Sequence, residues 1–280
     1  MALVVVGTPI GHLGDLSPRG VEALKNADVV ACEDTRVTRK LLQTHGIDVP
    51  VSPYHAHSPP AVLQRLADRA LAGDDVALVS DAGMPTLSDP GRELVATVRS
   101  RGGAVTVVPG PSALTTALAA CGLPTEPHLF LGFLPRQGKR RRQQIEWLAQ
   151  LPVTGVLFES AQRLPKTLGE LADRLGERPA AVARELTKRF EEVVVAPLPE
   201  LAGHFLEPPK GEIVLVVGPG HSSPSEPGDE LDESAWVAEA ARGLALGMAP
   251  SQLAKDLANR SGSPRKKAYD WVMQAQRGDD

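Results

Sequence analysis

Aromatic side chains are scarce in this 280-residue chain, where Phe, Trp and Tyr together make up 4% of the residues. Its core must therefore be built mainly from Ala, Val and Leu. Two cysteines, Cys32 and Cys121, are too few for a disulfide framework or a Cys-based metal site. No apolar run reaches the roughly 18 residues needed to cross a bilayer. The apolar opening, residues 1–6, has no basic leader or cleavage site and runs straight into a turn, so it reads as a first strand and not a signal peptide. A cytoplasmic protein with no membrane partner is expected. An excess of one charge is lacking too: 30 basic against 34 acidic residues give −4. That argues against coating nucleic acid by bulk charge and leaves local basic patches to do so. What remains, 42% hydrophobic and 23% charged, is ordinary for a globular protein.

Three zones follow one another. Up to about residue 117, the Val-rich runs Leu3–Val6, Val29–Cys32, Val76–Val79 and Val105–Val108 each end in Gly, Pro or polar residues. Continuous apolar runs of this length suit strands buried on both faces. Helical spacing lies between them, over Pro18–Asn26, Thr38–Thr44, Ala61–Ala72 and Gly91–Ser100. This βαβα rhythm predicts a mostly parallel α/β domain over 1–117. A second α/β domain with some antiparallel pairing is expected over 118–220. Its strands are Leu129–Leu131, Gly155–Phe158, Ala180–Arg184, Glu192–Ala196 and Ile213–Val217, and its helices Arg141–Gln150, Leu164–Leu175 and Leu198–Leu206. The stretch 221–234 is rich in Pro, Ser and acids and reads as a linker. Residues 235–280 carry three short helical patterns, with Pro250 and Pro264 suited to first turns, Ser263 to a cap and Gly262 to a stop.

The chemistry-bearing loops follow predicted strands. Gly7-Thr8-Pro9-Ile10-Gly11-His12 is Gly-rich but is neither a dinucleotide fingerprint nor a Walker A loop. Ser80-Asp81-Ala82-Gly83-Met84-Pro85-Thr86-Leu87-Ser88-Asp89-Pro90-Gly91 follows the third run, and Pro109-Gly110-Pro111-Ser112-Ala113 the fourth. Each alone is as readily a tight turn. Three on the carboxyl edge of one sheet point to a shared pocket with main-chain contacts to a ligand.

Together with Cys32-Glu33-Asp34-Thr35-Arg36, these loops resemble the tetrapyrrole methylases, and within them the branch that methylates ribosomal RNA. Phe130–Pro135, Ala183–Lys188 and Lys210-Gly211-Glu212 match as well, so the resemblance spans about residues 3–217 plus a helical tail. It implies a cleft between two α/β domains that holds folded S-adenosylmethionine (SAM). It also implies a homodimer that transfers methyl to the 2′-hydroxyl of a cytidine in 16S rRNA of the 30S subunit. A methylase of a tetrapyrrole or other small substrate, or a non-catalytic RNA-binding assembly factor, is the alternative. Two segments depart from the family pattern: Tyr54-His55-Ala56-His57-Ser58 lacks its acid and Glu159-Ser160-Ala161-Gln162-Arg163 lacks its histidine.

For SAM, the resemblance points to Pro9, Asp81, Ala82, Gly83, Pro85, Leu87, Pro111, Ser112, Ala113, Phe133, Leu134, Ala183, Arg184 and Leu186. Transfer to a hydroxyl needs a proton acceptor. Asp34 with Arg36 is the candidate pair, read otherwise as a capping Asp beside a solvated Arg; His12 and Asp15 are secondary. His55 and His57 form an H-x-H pair with no evident third ligand, so no metal is expected. Arg136, Lys139, Arg140, Arg141 and Arg142 form the sharpest basic cluster, a candidate phosphate-contacting surface. Arg260, Arg265, Lys266 and Lys267 mark the tail as an RNA-docking module, or else Leu253, Leu257, Trp271 and Val272 pack it on the main body.

Overall fold

The computed structural model describes residues 3–220, 233–245, 248–261 and 263–277. They fall into two compact units, the first through residue 220 and the second from residue 233.

The first unit opens with β1 (Leu3–Val6), α1 (Pro18–Lys25), β2 (Val29–Cys32), α2 (Thr35–Thr44), β3 (Val51–Pro53), α3 (Pro60–Ala72), β4 (Val76–Leu78), α4 (Arg92–Ser100) and β5 (Val105–Val108). The five strands pair in the order β3-β2-β4-β1-β5, all parallel. The runs of β1, β2 and β4 fit because both faces there are covered, whereas the edge strand β5 leaves Val107 exposed. Val4, Val6 and Val30 meet Leu24, Leu41 and Leu42 of α1 and α2 on one face. Leu3, Val5 and Val29 meet Leu66, Leu94 and Val98 of α3 and α4 on the other. Ser17 caps α1 by accepting the Gly20 N–H at 3.0 Å, with Pro18 in the first turn. Strand β3 is absent from the sequence-based expectation. At three residues, with Ser and Pro in it, this edge strand is too short and too polar to show a period.

The chain then builds a second sheet from β6 (His128–Phe133), β7 (Thr154–Ser160), β8 (Pro179–Arg184), β9 (Glu192–Pro197) and β10 (Glu212–Val217), in the order β6-β7-β10-β8-β9. β6 and β7 are parallel and the remaining pairs antiparallel. α6 (Lys139–Gln150), α7 (Leu164–Leu175) and α8 (Leu198–His204) cover one face through Leu148, Leu168 and Leu201. The other face packs on α5 (Ala113–Cys121), whose Ala117, Leu118 and Cys121 meet Val156, Ala181 and Val214. α5 shows no helical period in the sequence because it is apolar nearly all round and has no polar stripe. The fold class is the expected one: two α/β sheets followed by helices.

Three helices make the second unit: α9 (Glu233–Ala245), α10 (Pro250–Ser261) and α11 (Arg265–Arg277). They enclose their own core of Leu253, Leu257, Trp271 and Val272, and Trp236 stacks on Trp271 at 5.5 Å between centroids. These apolar residues are therefore used inside the module. Arg265, Lys266 and Lys267 are exposed at the start of α11. The linker expected over 221–234 lies outside the described residues except for its last two positions, which already belong to α9. The stop expected at Gly262 lies outside them as well. No helix among the described residues is long and apolar enough to cross a membrane.

Candidate active site

From β1 the chain crosses to β2, beyond β4; from β4 it crosses the opposite way to β5, beyond β1. Crossovers that diverge in this way open a crevice at the carboxyl ends of the strands. The loops after β1, β4 and β5 meet there and are laced by main-chain hydrogen bonds. Gly7 N–H donates to the Val108 carbonyl at 3.0 Å, and Thr8 and Gly83 exchange N–H···O bonds of 2.9 and 3.1 Å. The buried Thr8 hydroxyl donates to the Ser80 carbonyl at 3.1 Å. Gly7 and Gly110 cross so closely that a Cβ on Gly110 would lie 2.8 Å from the Gly7 carbonyl carbon.

These loops form one wall of a cleft of about 390 Å³; the carboxyl end of β7, the start of β10 and the loop after β8 form much of the rest. The volume is that of a small-molecule site. Of the residues expected to hold a cofactor, Ala82, Gly83, Leu87, Ser112, Ala113, Phe133 and Leu186 line it. Phe133 is 54% exposed and Leu87 44%, so two large apolar side chains stand uncovered at its rim. Pro9, Pro85 and Pro111 shape the loops without lining the cleft.

Leu134, Ala183 and Arg184 are not among the residues that line the cleft. Leu134 follows Phe133 but points the other way, into the core under α6 and α7. Ala183 is buried against α5, and the Arg184 guanidinium pairs with Glu192. Alternation along an extended chain sends neighbouring side chains to opposite faces.

Ile10, Asp89, Phe158, Ser160 and Ile213 also line the cleft, although none is among the residues expected from the sequence. Asp89 had a local signal, an acid directly before the Pro90-Gly91 turn into α4. Phe158 and Ile213 had none, since each reads as an ordinary strand residue. Non-glycine residues in the left-handed region cluster in the bordering loops: Thr86 and Ser88 at φ 74° and 67°, Glu185 and Thr187 at 50° and 64°. Such backbone, rare above all for threonine, persists only where surrounding contacts enforce it.

Beside the cleft lies an open polar hollow of about 630 Å³, bordered by Glu33, Asp34, Arg36, His55, His57 and Asp81. Asp81 belongs to this hollow, while the next residue, Ala82, lines the cleft. Asp34 caps α2 by accepting the Arg36 N–H at 2.8 Å, and its carboxylate also takes a forked ion pair from the Arg36 guanidinium. Those bonds from Arg36 hold the Asp34 carboxyl down at about 2. A carboxylate so stabilised is a poor proton acceptor.

Asp89 is its opposite. Burial, then the nearby charges of Glu33 and Asp81, push its carboxyl up to about 6, against a hydrogen bond from Ser80 that lowers it. Glu33 is raised by burial and Asp81. Asp34 and Asp89, on one sheet edge, are thus driven apart in affinity for protons, the usual mark of distinct acid–base roles. His12 and Asp15 lie in the β1 loop outside cleft and hollow. Among the described residues, no group of three His, Cys, Asp or Glu is placed to hold a metal ion.

The basic cluster divides. Arg136, Lys139, Arg140 and Arg142 are exposed. Arg141, expected among the RNA contacts, is instead buried, because Arg141, Gln144, Ile145 and Leu148 share the inner face of α6. Its guanidinium donates to Glu170 at 2.7 Å, to the Thr167 hydroxyl at 3.0 Å and to the Pro135 carbonyl at 3.1 Å. Arg141→Met should therefore lower unfolding free energy by about 2 kcal/mol in urea melts, leaving Glu170 and Thr167 without their donor.

Comparison with known proteins agrees with this architecture. The family model for tetrapyrrole (corrin/porphyrin) methylases matches residues 2–202. A relative from Mesorhizobium japonicum, named ribosomal RNA small subunit methyltransferase I, is 42% identical over 96% of this chain and 90% of its own. One of the same name from Bacillus subtilis is 37% identical over 96% and 92%. Among solved structures, diphthine synthase superposes with a TM-score of 0.62 at 16% identity, covering 77% of this chain and 89% of that one. Uroporphyrin-III C-methyl transferase from Thermus thermophilus, complexed with S-adenyl homocysteine, gives 0.55 at 22% identity, over 76% and 95%. The chain belongs to the tetrapyrrole methylase family, in the group whose curated members are named ribosomal RNA small subunit methyltransferase I.

Proposed function

We propose that this protein transfers a methyl group from SAM to the 2′-hydroxyl of a cytidine ribose in 16S rRNA of the small ribosomal subunit. The observation that carries the reading is the apolar cleft lying beside an open polar hollow, with Asp89 on the cleft wall. The names of the relatives supply the RNA class, and the resemblance supplies the cytidine and the oxygen.

The residues present suit SAM. Phe133, Phe158 and Leu87 offer an apolar wall for a flat purine. Ser112 starts α5 without a side-chain cap, so first-turn N–H groups there are open to a carboxylate. Bound SAM supplies an electrophilic methyl on a sulfonium. The chain must hold the hydroxyl oxygen in line with that methyl and take its proton. Asp89 is the acceptor this geometry favours, ionised above about pH 6 yet basic enough to work near neutrality. Arg36, its side chain 86% exposed at the hollow, orients the ribose or a neighbouring phosphate, and Asp34 steadies Arg36.

The test is transfer of radiolabelled methyl to 30S subunits and to naked 16S rRNA. Label is expected on RNA, at one phosphodiester that becomes resistant to alkali because its 2′-oxygen is blocked. Label on a base, or on a porphyrinoid alone, would overturn the reading. The protein should act as a cytoplasmic homodimer, which light scattering on the purified chain checks for its dimeric half.

A further inference from the structure

A second pocket of about 400 Å³ lies at the carboxyl ends of β6 and β7, bordered by Arg136, Arg141, Arg163, Lys166, Thr167 and Ser160. Ser160 also lines the cleft, so the two pockets adjoin. Four cations surround this space, and the carboxylates bonded to them are Glu159 and Glu170. Glu159 is 2% exposed; it accepts from Thr167 at 2.6 Å and from the Ser160 N–H at 2.8 Å, and pairs with Arg163 at 3.2 Å. Glu170 accepts from Arg141 and lies 3.8 Å from Lys166. Arg136 makes no ion pair among the described residues, and the Lys166 side chain is 70% exposed. Positive charge is left over, and the frame beneath it is rigid: Arg141 bridges Glu170, Thr167 and the Pro135 carbonyl, while Arg163 donates to the Leu134 carbonyl at 2.6 Å.

The placement of this charge is costly without a ligand. α6 begins with Lys139, Arg140 and Arg141, α7 is preceded by Arg163 and carries Lys166 in its first turn, and neither helix has an acid there or a side-chain cap. Cations at a helix N-terminus oppose its dipole. Two such ends converge here, and an anion between them would offset both unfavourable fields and meet guanidinium forks already held in place.

We propose that this pocket binds a phosphodiester group of the RNA strand whose ribose enters the adjoining cleft, with Arg136 and Lys166 as its exposed cations and Arg163 as its fixed one. The site rests on the RNA reading above. It sets the strand's register by gripping the backbone next to the reacting nucleotide, and it carries no base specificity.

The experiment compares the wild type with Arg136→Glu/Lys166→Glu and with a control pair of equal charge change, Lys25→Glu/Arg99→Glu, exposed on α1 and α4. Fluorescence anisotropy with a labelled 16S rRNA fragment gives the Kd at several salt concentrations, and calorimetry gives the SAM Kd. Charge reversal in the pocket should weaken RNA binding about tenfold or more and flatten the log–log salt slope by about 0.7–0.9 for each phosphate that is no longer neutralised. SAM affinity should stay within about twofold, and the control pair should leave the slope unaltered. The milder Arg136→Gln/Lys166→Gln pair, which spares the Arg141 frame, should shift RNA affinity the same way by less. Unchanged RNA affinity and slope in both pocket variants, or an equal loss in the control, would overturn the site while leaving the methylase reading intact. A wild type that binds no RNA but methylates another substrate would overturn both.

Discussion

Asp89→Asn should lower kcat for methyl transfer by about a hundredfold or more, the range expected for loss of a positioned proton acceptor. Asparagine keeps the shape and cannot take the hydroxyl proton, so SAM affinity by calorimetry should change little. The wild-type rate should fall as pH drops through about 6, because burial and the Glu33 charge hold the Asp89 carboxyl there and only its ionised form accepts. That acidic limb should be missing from the residual activity of the variant. Stability supplies an independent check. A carboxyl raised in the folded state contributes stability at low pH and loses it as pH rises through the folded value near 6. Asparagine mimics the neutral form at every pH, so the variant should melt above the wild type at pH 8 and near it at pH 4. An inactive variant that is also less stable at pH 8 would mean a structural role for Asp89. Full activity would remove it from the mechanism.

Gly110→Ala is the second large effect. The added methyl would meet Gly7 backbone atoms at 2.8–2.9 Å, and backbone cannot swing aside as a side-chain tip does. The loops after β1 and β5 must separate, and with them the lacing of Thr8 to Gly83 that sets one wall of the cleft. A loss of about 1–3 kcal/mol in urea melts is expected from overpacking of this kind. SAM affinity should drop well beyond what that loss explains, because Ser112 and Ala113 of the cleft follow directly. Gly122→Ala is the control: a Cβ there meets nothing within 4 Å, but its φ of 66° carries backbone strain, and it lies outside the cleft. It should lose stability while SAM affinity holds. Equal loss of SAM affinity in both variants would count against the crossing as the cause.

Much of the first sheet was legible because its strands are uninterrupted Val-rich runs between amphipathic helices, a strictly local pattern. β3 and α5 were not, one too short and polar to show a period and the other too uniformly apolar. In the cleft, the Ala82–Leu87 and Ser112-Ala113 segments stood out because Gly and Pro punctuate turns after strands. Phe158 and Ile213 are silent in sequence, since their place beside the cleft depends on how β7 ends and β10 begins next to loops far away in the chain. Arg141 shows the reverse case: five basic residues in seven look like one surface, but a helix turns every residue by about a hundred degrees and puts this one on the inner face of α6, at the border of the second pocket.

The sequence by itself determined the secondary elements with a clear period, the carboxyl-edge loops and the family, because each is written in neighbouring residues. Tertiary structure alone decided which distant acids and bases meet. Asp34 and Asp89 are both loop-borne aspartates; one is tamed by Arg36 two residues away, the other lifted by burial and by Glu33 from a different strand end. Arg136, Arg163 and Lys166 likewise come together only because α6 and α7 start side by side at the second sheet. Proton affinity and anion binding depend on distance and desolvation, and those are properties of the folded packing.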